Sequence, residues 1–203
     1  TVTKHMQNIF EKVQVSNSYG EDLKRLADRT NRQHFATSAP GWIQYAFDKP
    51  FSCNSLKIEW TPSNYQANRL QVLASDDGIH FRKITQLESP RMGWLDWDNG
   101  VTHLIRYTKA KYFRFVYDPA GSEPGGEDLD SGKWKPSLKL TGISLFEEAQ
   151  VNQIEGKTGE IWRVGKYSDP AAVAKTAIWN QQQLMRLPKP DQTGRVDLTL
   201  PAG

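Results

Sequence analysis

Three tryptophans of this chain lie in long polar stretches. Trp94 and Trp97 fall in residues 87–100, LESPRMGWLDWDNG, and Trp134 falls in residues 118–136, DPAGSEPGGEDLDSGKWKP. Arg91, Asp96, Asp98, Lys133 and Lys135 flank them, and Tyr65 sits in a similar setting, TPSNYQANR. Aromatic rings stack on the C–H faces of sugars, while neighbouring charged and amide groups bond to the hydroxyls. Tyr65, Arg91, Trp94, Trp97 and Trp134 are therefore the candidate carbohydrate contacts. A loop tryptophan can equally fold back as a lid on the core, and sequence leaves that alternative open.

Other chemistries find less support. Residues 96–100 and 128–132 (DWDNG and DLDSG) place carboxylates at positions one and three, like a calcium loop. An EF-hand needs Gly at position six and Glu at twelve. Here Gly stands at five in both, and Tyr107 or Lys139 stands at twelve. His5, His34, His80 and His103 are scattered without metal-ligand spacing, and Cys53 is the sole cysteine, which excludes an intrachain disulfide framework. No G-x-S-x-G elbow is present, and GSEPGG lacks the Lys-Ser/Thr of a phosphate loop. A glycosidase needs two carboxylates projected from a rigid scaffold. The 23 acidic residues offer pairs, but no barrel pattern to carry them.

The elements that must position these residues are strands. Residues 70–84, LQVLASDDGIHFRKI, read as strand, tight turn, strand, with Asp77-Gly78 at the turn and Phe81 just beyond it. Val13 and Val15 alternate with polar neighbours within residues 9–16. Strands are expected over 42–48, 55–60, 69–75, 81–86, 102–107, 112–117 and 138–146. Ser18 and Glu21 form a capping-box pattern ahead of a short helical piece with Leu23, Leu26 and Ala27 on one face. An edge hairpin is expected over 151–167 and a helix from Pro170 toward 185. Alternation places Trp42, Phe47, Leu56, Ile58, Leu70, Val72, Phe81, Phe113, Phe115, Ile143 and Leu145 in the core, with Trp60 beside them. Many short strands with few helices mean an antiparallel sandwich or jelly roll.

Four of these segments, in order, carry a resemblance. The turn SDDGIHF resembles the S-x-D-G-x-x-F/W hairpin of the coagulation factor 5/8 type C (discoidin) family. GWIQYAFDKPFSCNSLKIEW (41–60), AKYFRFVYD (110–118) and LTGISLFEEA (140–149) are similar to other strands of that family. The resemblance implies an all-β, galactose-binding-like jelly-roll β-sandwich over residues 1–150. It also implies that no cofactor is required, while a structural calcium has Asp28 and Glu147 as its nearest candidate ligands. The family loop reads Asp-Gly where this chain reads Asp28-Arg29.

Residues 151–203 form a short appended mixed segment leading toward a further domain. Its end, GRVDLTLPAG (194–203), resembles a segment of glycoside hydrolase family 106, the alpha-L-rhamnosidases, with Leu198 where that family has Trp. The start at Thr1 suggests an excised piece of a longer protein. Together these resemblances imply a non-catalytic accessory module of a secreted, periplasmic or cell-surface glycoside hydrolase. Its partner would be a glycan or, alternatively, only the catalytic domain of its own parent chain, which it would buttress without a ligand.

Composition agrees with a globular module. At 203 residues, 24% charged and 37% hydrophobic, the chain has no run long enough to span a membrane, so no membrane partner is expected. A net charge of +3 with basic residues spread along the chain gives no expectation of nucleic-acid binding. A monomer is expected.

Overall fold

The computed structural model describes residues 13–28, 30, 33–60, 69–87, 100–121, 137–158 and 188–196. Eight strands account for most of them: β1 (Val13–Asn17), β2 (Phe35–Thr37), β3 (Gly41–Glu59), β4 (Gln71–Ser75), β5 (Arg82–Gln86), β6 (Gly100–Tyr117), β7 (Leu138–Leu140) and β8 (Gly142–Phe146). All the pairings are antiparallel.

Two long strands make the architecture. The segments expected at 42–48 and 55–60 are one strand, β3, and those expected at 102–107 and 112–117 are one strand, β6. Pro50 falls where the β3–β6 register shifts, between Ala46 and Phe51, a place where a missing N–H disrupts no regular ladder. A second shift lies between Cys53 and Ser55. These irregularities let the pair bend. Its first part, residues 41–46 against 112–117, joins β1 on one side and β4–β5 on the other. Its second part, 55–59 against 100–104, joins β8.

The two parts face each other. Tyr45, in the first half of β3, donates its hydroxyl across the core to the carbonyl of Ile143 in β8, 3.0 Å away. Burial pushes the Tyr45 phenol well above its usual range, with Glu59 adding to the effect, so the hydroxyl keeps its proton and stays a donor. The result is an all-β sandwich of jelly-roll type, with the β2–β7 ribbon continuing into β8 through Thr141. Between the layers, Phe47 stacks on Phe51 at 4.8 Å, and both meet Phe113 edge-on. Cys53 is fully buried, which drives its thiol up to about 12 and leaves it a protonated core side chain.

Local expectations changed where tertiary contacts competed with them. The capping box at Ser18 does not form, because the Ser18 hydroxyl accepts the Trp42 N–H at 2.8 Å instead. The helical piece shrinks to a 3-10 turn, Lys24–Ala27, which still buries Leu23 and Leu26. Of the hairpin expected over 151–167, residues 154–157 form a helical turn, Ile154–Lys157, and residues 159–167, with Ile161, Trp162 and Val164, lie outside the described residues. The turn and the two residues before it cap the open side of β6. Gln153 N–H donates to Thr102 O, Leu104 N–H donates to Asn152 Oδ1, and the Glu155 carboxylate accepts the Thr102 N–H and hydroxyl. Lys57 Nζ lies 3.6 Å from the same carboxylate. Side chains and one backbone N–H thus take the place of a neighbouring strand, which protects an edge that would otherwise template association. The helix expected from Pro170 lies outside the described residues.

The β4–β5 turn forms as its sequence demands. Asp77 Oδ1 accepts the N–H groups of Ile79 and His80, each at 2.8 Å, and the Ser75 hydroxyl. Gly78 adopts φ +79°, and a Cβ there would lie 3.1 Å from the Tyr112 ring. The His80 side chain, its Nδ1 2.7 Å from Asp77 Oδ2, is the largest of the influences that hold the Asp77 carboxyl well below the usual range. Since the folded value is depressed, the turn's stabilisation is present above the unfolded Asp value near ~4 and is lost only as pH falls through the folded value. In an NMR titration Asp77 is expected to remain mostly ionised at about pH 3, where an ordinary Asp is largely protonated. A midpoint near 4 would contradict this hydrogen-bond set.

Candidate functional site

The outer face of the first layer carries a built cluster of rings and charge. Because Ile43, Tyr45 and Phe47 point into the core, Trp42, Gln44 and Ala46 point outward. On β6 the same logic turns Phe113, Phe115 and Tyr117 inward and Tyr112, Arg114 and Val116 outward. The ladder pairs Gln44 with Arg114, and Arg114 with Leu73 of β4.

Arg114 is held from three sides. Its Nε and one terminal nitrogen, Nη2, donate to Gln44 Oε1 at 2.9 and 2.7 Å. Its guanidinium carbon lies 4.5 Å from the Trp42 ring centre and 3.8 Å from that of Phe81. Such cation–π contacts contribute about 0.5 to 2 kcal/mol each, more as water is excluded. Desolvation lowers the Arg114 pKa, but guanidinium starts so high that it stays charged. No side chain or carbonyl among the described residues accepts from its other terminal nitrogen, Nη1. The cluster is half-buried, not sealed, and holds a charged donor at the surface against one face of each of two aromatic rings.

This placement corrects two core assignments. Trp42 and Phe81 are expected inside, yet both are half-buried on the outer face. Trp42 precedes Ile43 in a run where both positions are apolar, and only the pairing with β6 decides which one faces in. Phe81 lies just before β5, at the end of the turn, where it packs over Arg114. The other nine expected core residues are buried, as is Trp60, whose indole N–H has no partner among the described residues.

The candidate carbohydrate contacts Tyr65, Arg91, Trp94, Trp97 and Trp134 lie outside the described residues. Of the metal candidates, Asp28 accepts the Thr30 N–H and hydroxyl in a local turn. The side chain of Asn54 donates to the Glu147 backbone carbonyl. The described residues contain no group of three or more His, Cys, Asp or Glu able to hold a metal ion. Calcium takes six to eight oxygens, so these two carboxylates alone are too few. What the sequence could have signalled about Arg114 is its parity: it stands one residue from the buried Phe113 and Phe115, as Trp42 stands beside Ile43.

No family model matches the chain, and no curated protein matches it. Solved structures do. CpGH89CBM32-5 from Clostridium perfringens, in complex with GalNAc-beta-1,3-galactose, is 15% identical over 68% of this chain and 97% of its own, with a TM-score of 0.46. A pectin binding carbohydrate binding module is 20% identical over 66% and 89% of the two chains, at 0.48. The CBM32 of AlyQ, in complex with 4,5-unsaturated mannuronic acid, is 13% identical over 66% and 95%, at 0.49.

Proposed function

We propose that the chain is a non-catalytic carbohydrate-binding module of a secreted polysaccharide-degrading enzyme. The observation that carries this reading is the Trp42–Arg114–Phe81 stack with Gln44: fixed aromatic surface beside a fixed donor is what a sugar face with equatorial hydroxyls requires. The likeness of residues 194–203 to the rhamnosidase segment supports a parent enzyme of that type, with the stretch after residue 150 leading toward its next domain. Tyr65, Arg91, Trp94, Trp97 and Trp134 are proposed as additional contacts, and Asp28 and Glu147 as part of a calcium site completed by other oxygens.

Calorimetric titration with galactose- and rhamnose-containing oligosaccharides, in calcium and in EGTA, tests this. Binding is expected between millimolar and micromolar, about −4 to −8 kcal/mol. Trp42→Ala and Arg114→Gln are each expected to weaken it at least ~10-fold, equivalent to ~1.4 kcal/mol. No heat with any sugar at millimolar concentration would leave the buttressing role as the better account. Identical melting in calcium and EGTA would remove the calcium site.

A further inference from the structure

After β8 the chain stays on the sandwich and straps round the end of its second layer. The Asn54 side chain donates to the Glu147 carbonyl, and the Ser55 hydroxyl donates to the Glu148 carbonyl at 2.7 Å, so the chain is anchored to β3 as it leaves β8. Ala149, Gln150 and Val151 then make no hydrogen bond among the described residues. They carry the chain past β3 to β6, which pairs with the other side of that strand. There Asn152 Oδ1 accepts the Leu104 N–H at 3.1 Å, and the Gln153 N–H donates to the Thr102 carbonyl at 2.7 Å. The Glu155 carboxylate accepts the Thr102 N–H at 3.1 Å and its hydroxyl at 2.7 Å, with Lys57 Nζ 3.6 Å away.

What holds this strap differs from what holds the sheets. Among the described residues, none of 147–158 belongs to the hydrophobic core, whose last member along the chain is Leu145. The two buried side chains of the strap, Gln153 and Glu155, are polar, and Ile154 is only half-buried. Buried apolar area gives the sheets their cohesion, whereas hydrogen bonds made in exchange for bonds to water give a smaller net gain. Gln153 also adopts φ +53°, the one positive value at a non-glycine position among the described residues, and the left-handed region disfavours such a side chain. The strap is thus bonded at several points, weakly cohesive, and hinged at 149–151.

We propose that residues 149–158 are a polar latch that opens as a unit while the sandwich stays folded. Closed, it covers the Thr102 and Leu104 edge, and the chain beyond Thr158 departs from β6. Open, it hangs from the Glu148 anchor at the end of β8, and the β6 edge meets water. The latch therefore sets the direction in which the following chain leaves the domain. The proposal does not depend on the sugar-binding reading.

Amide exchange of the whole chain, followed by NMR, tests it with controls in the same strand. Thr102 and Leu104 turn their backbone groups to the latch, so Val101 and His103, alternating with them, turn theirs to β3. The first pair is expected to exchange at least ~10-fold faster than the second, since opening the latch requires no unfolding of the sheet. Glu155→Ala should speed exchange at Leu104 at least ~10-fold, although Glu155 makes no bond to it, because a lost bond to a charged group weakens the whole latch. Asn152→Ala should speed Thr102 at least ~3-fold, a neutral bond contributing less. Neither should change Val101 or His103. A nitroxide on Lys157→Cys, with Cys53 buried in the core, should broaden the amides of 101–104 and broaden them less when Glu155→Ala is added. Equal exchange of the two pairs in the parent, or acceleration of all four amides together in the variants, would place the strap in the cooperative unit of the sandwich and overturn the proposal. So would variants that each speed only the amide they bond, or exchange of Thr102 and Leu104 at the rate of an unstructured chain, which would mean that no latch closes.

Discussion

Phe113→Ala is expected to cost about 3 to 5 kcal/mol, the usual range for truncating a fully buried Phe. Phe113 is 0% exposed, and its ring meets Phe47 and Phe51 edge-on at 6.1 and 6.4 Å, at the point where the β3–β6 pair bends between the layers. Deleting the ring leaves a cavity that the bent ladder cannot collapse into without sliding strands. For a chain of this size the change amounts to on the order of 6 to 20 °C in melting temperature. A variant melting within a degree or two of the parent would mean that β6 has been assigned the wrong register. The thiol of Cys53 should also stay inaccessible to labelling in the parent, since it is buried in the same core.

Gly100→Ala is expected to cost about 1 to 3 kcal/mol, the range for overpacking, even though it adds one methyl group. Gly100 pairs with Glu59, and a Cβ there would lie 2.5 Å from the Ile58 carbonyl and 3.1 Å from the Glu59 Cα. Both atoms belong to the backbone of the paired strand, so the clash is relieved only by opening the ladder. Gly20 is the control. It has φ +77°, and a Cβ there would meet nothing within 4 Å, so Gly20→Asn, which tolerates the left-handed region, should be close to neutral. Urea denaturation of the two variants separates steric from conformational demand for glycine. Equal stability of Gly100→Ala and the parent would show that the strands are not in contact there.

What could be read along the chain is what is decided locally. Period-two alternation identified the strand regions and the buried set Leu70, Val72, Phe113, Phe115, Ile143 and Leu145, because a pleated strand turns successive side chains to opposite faces whatever its partner. Asp77-Gly78 specified the turn, because an Asx bond and a positive φ need no distant residue. Pairing and register are different: they depend on segments far apart in sequence. The joining of four expected strands into β3 and β6, the outward face of Trp42, and the transfer of the Ser18 hydroxyl from a helix cap to the Trp42 N–H all follow from contacts across tens of residues. The same holds for the sites. Trp42, Gln44, Phe81 and Arg114 were visible singly, yet only the β3–β6–β4 ladder sets Arg114 between two rings, and only the path of the chain after β8 brings Glu155 to Thr102. Residue type and period set which faces were apolar; long-range strand pairing decided which side chains met, since a ladder one residue out of register would turn every one of them to the other face.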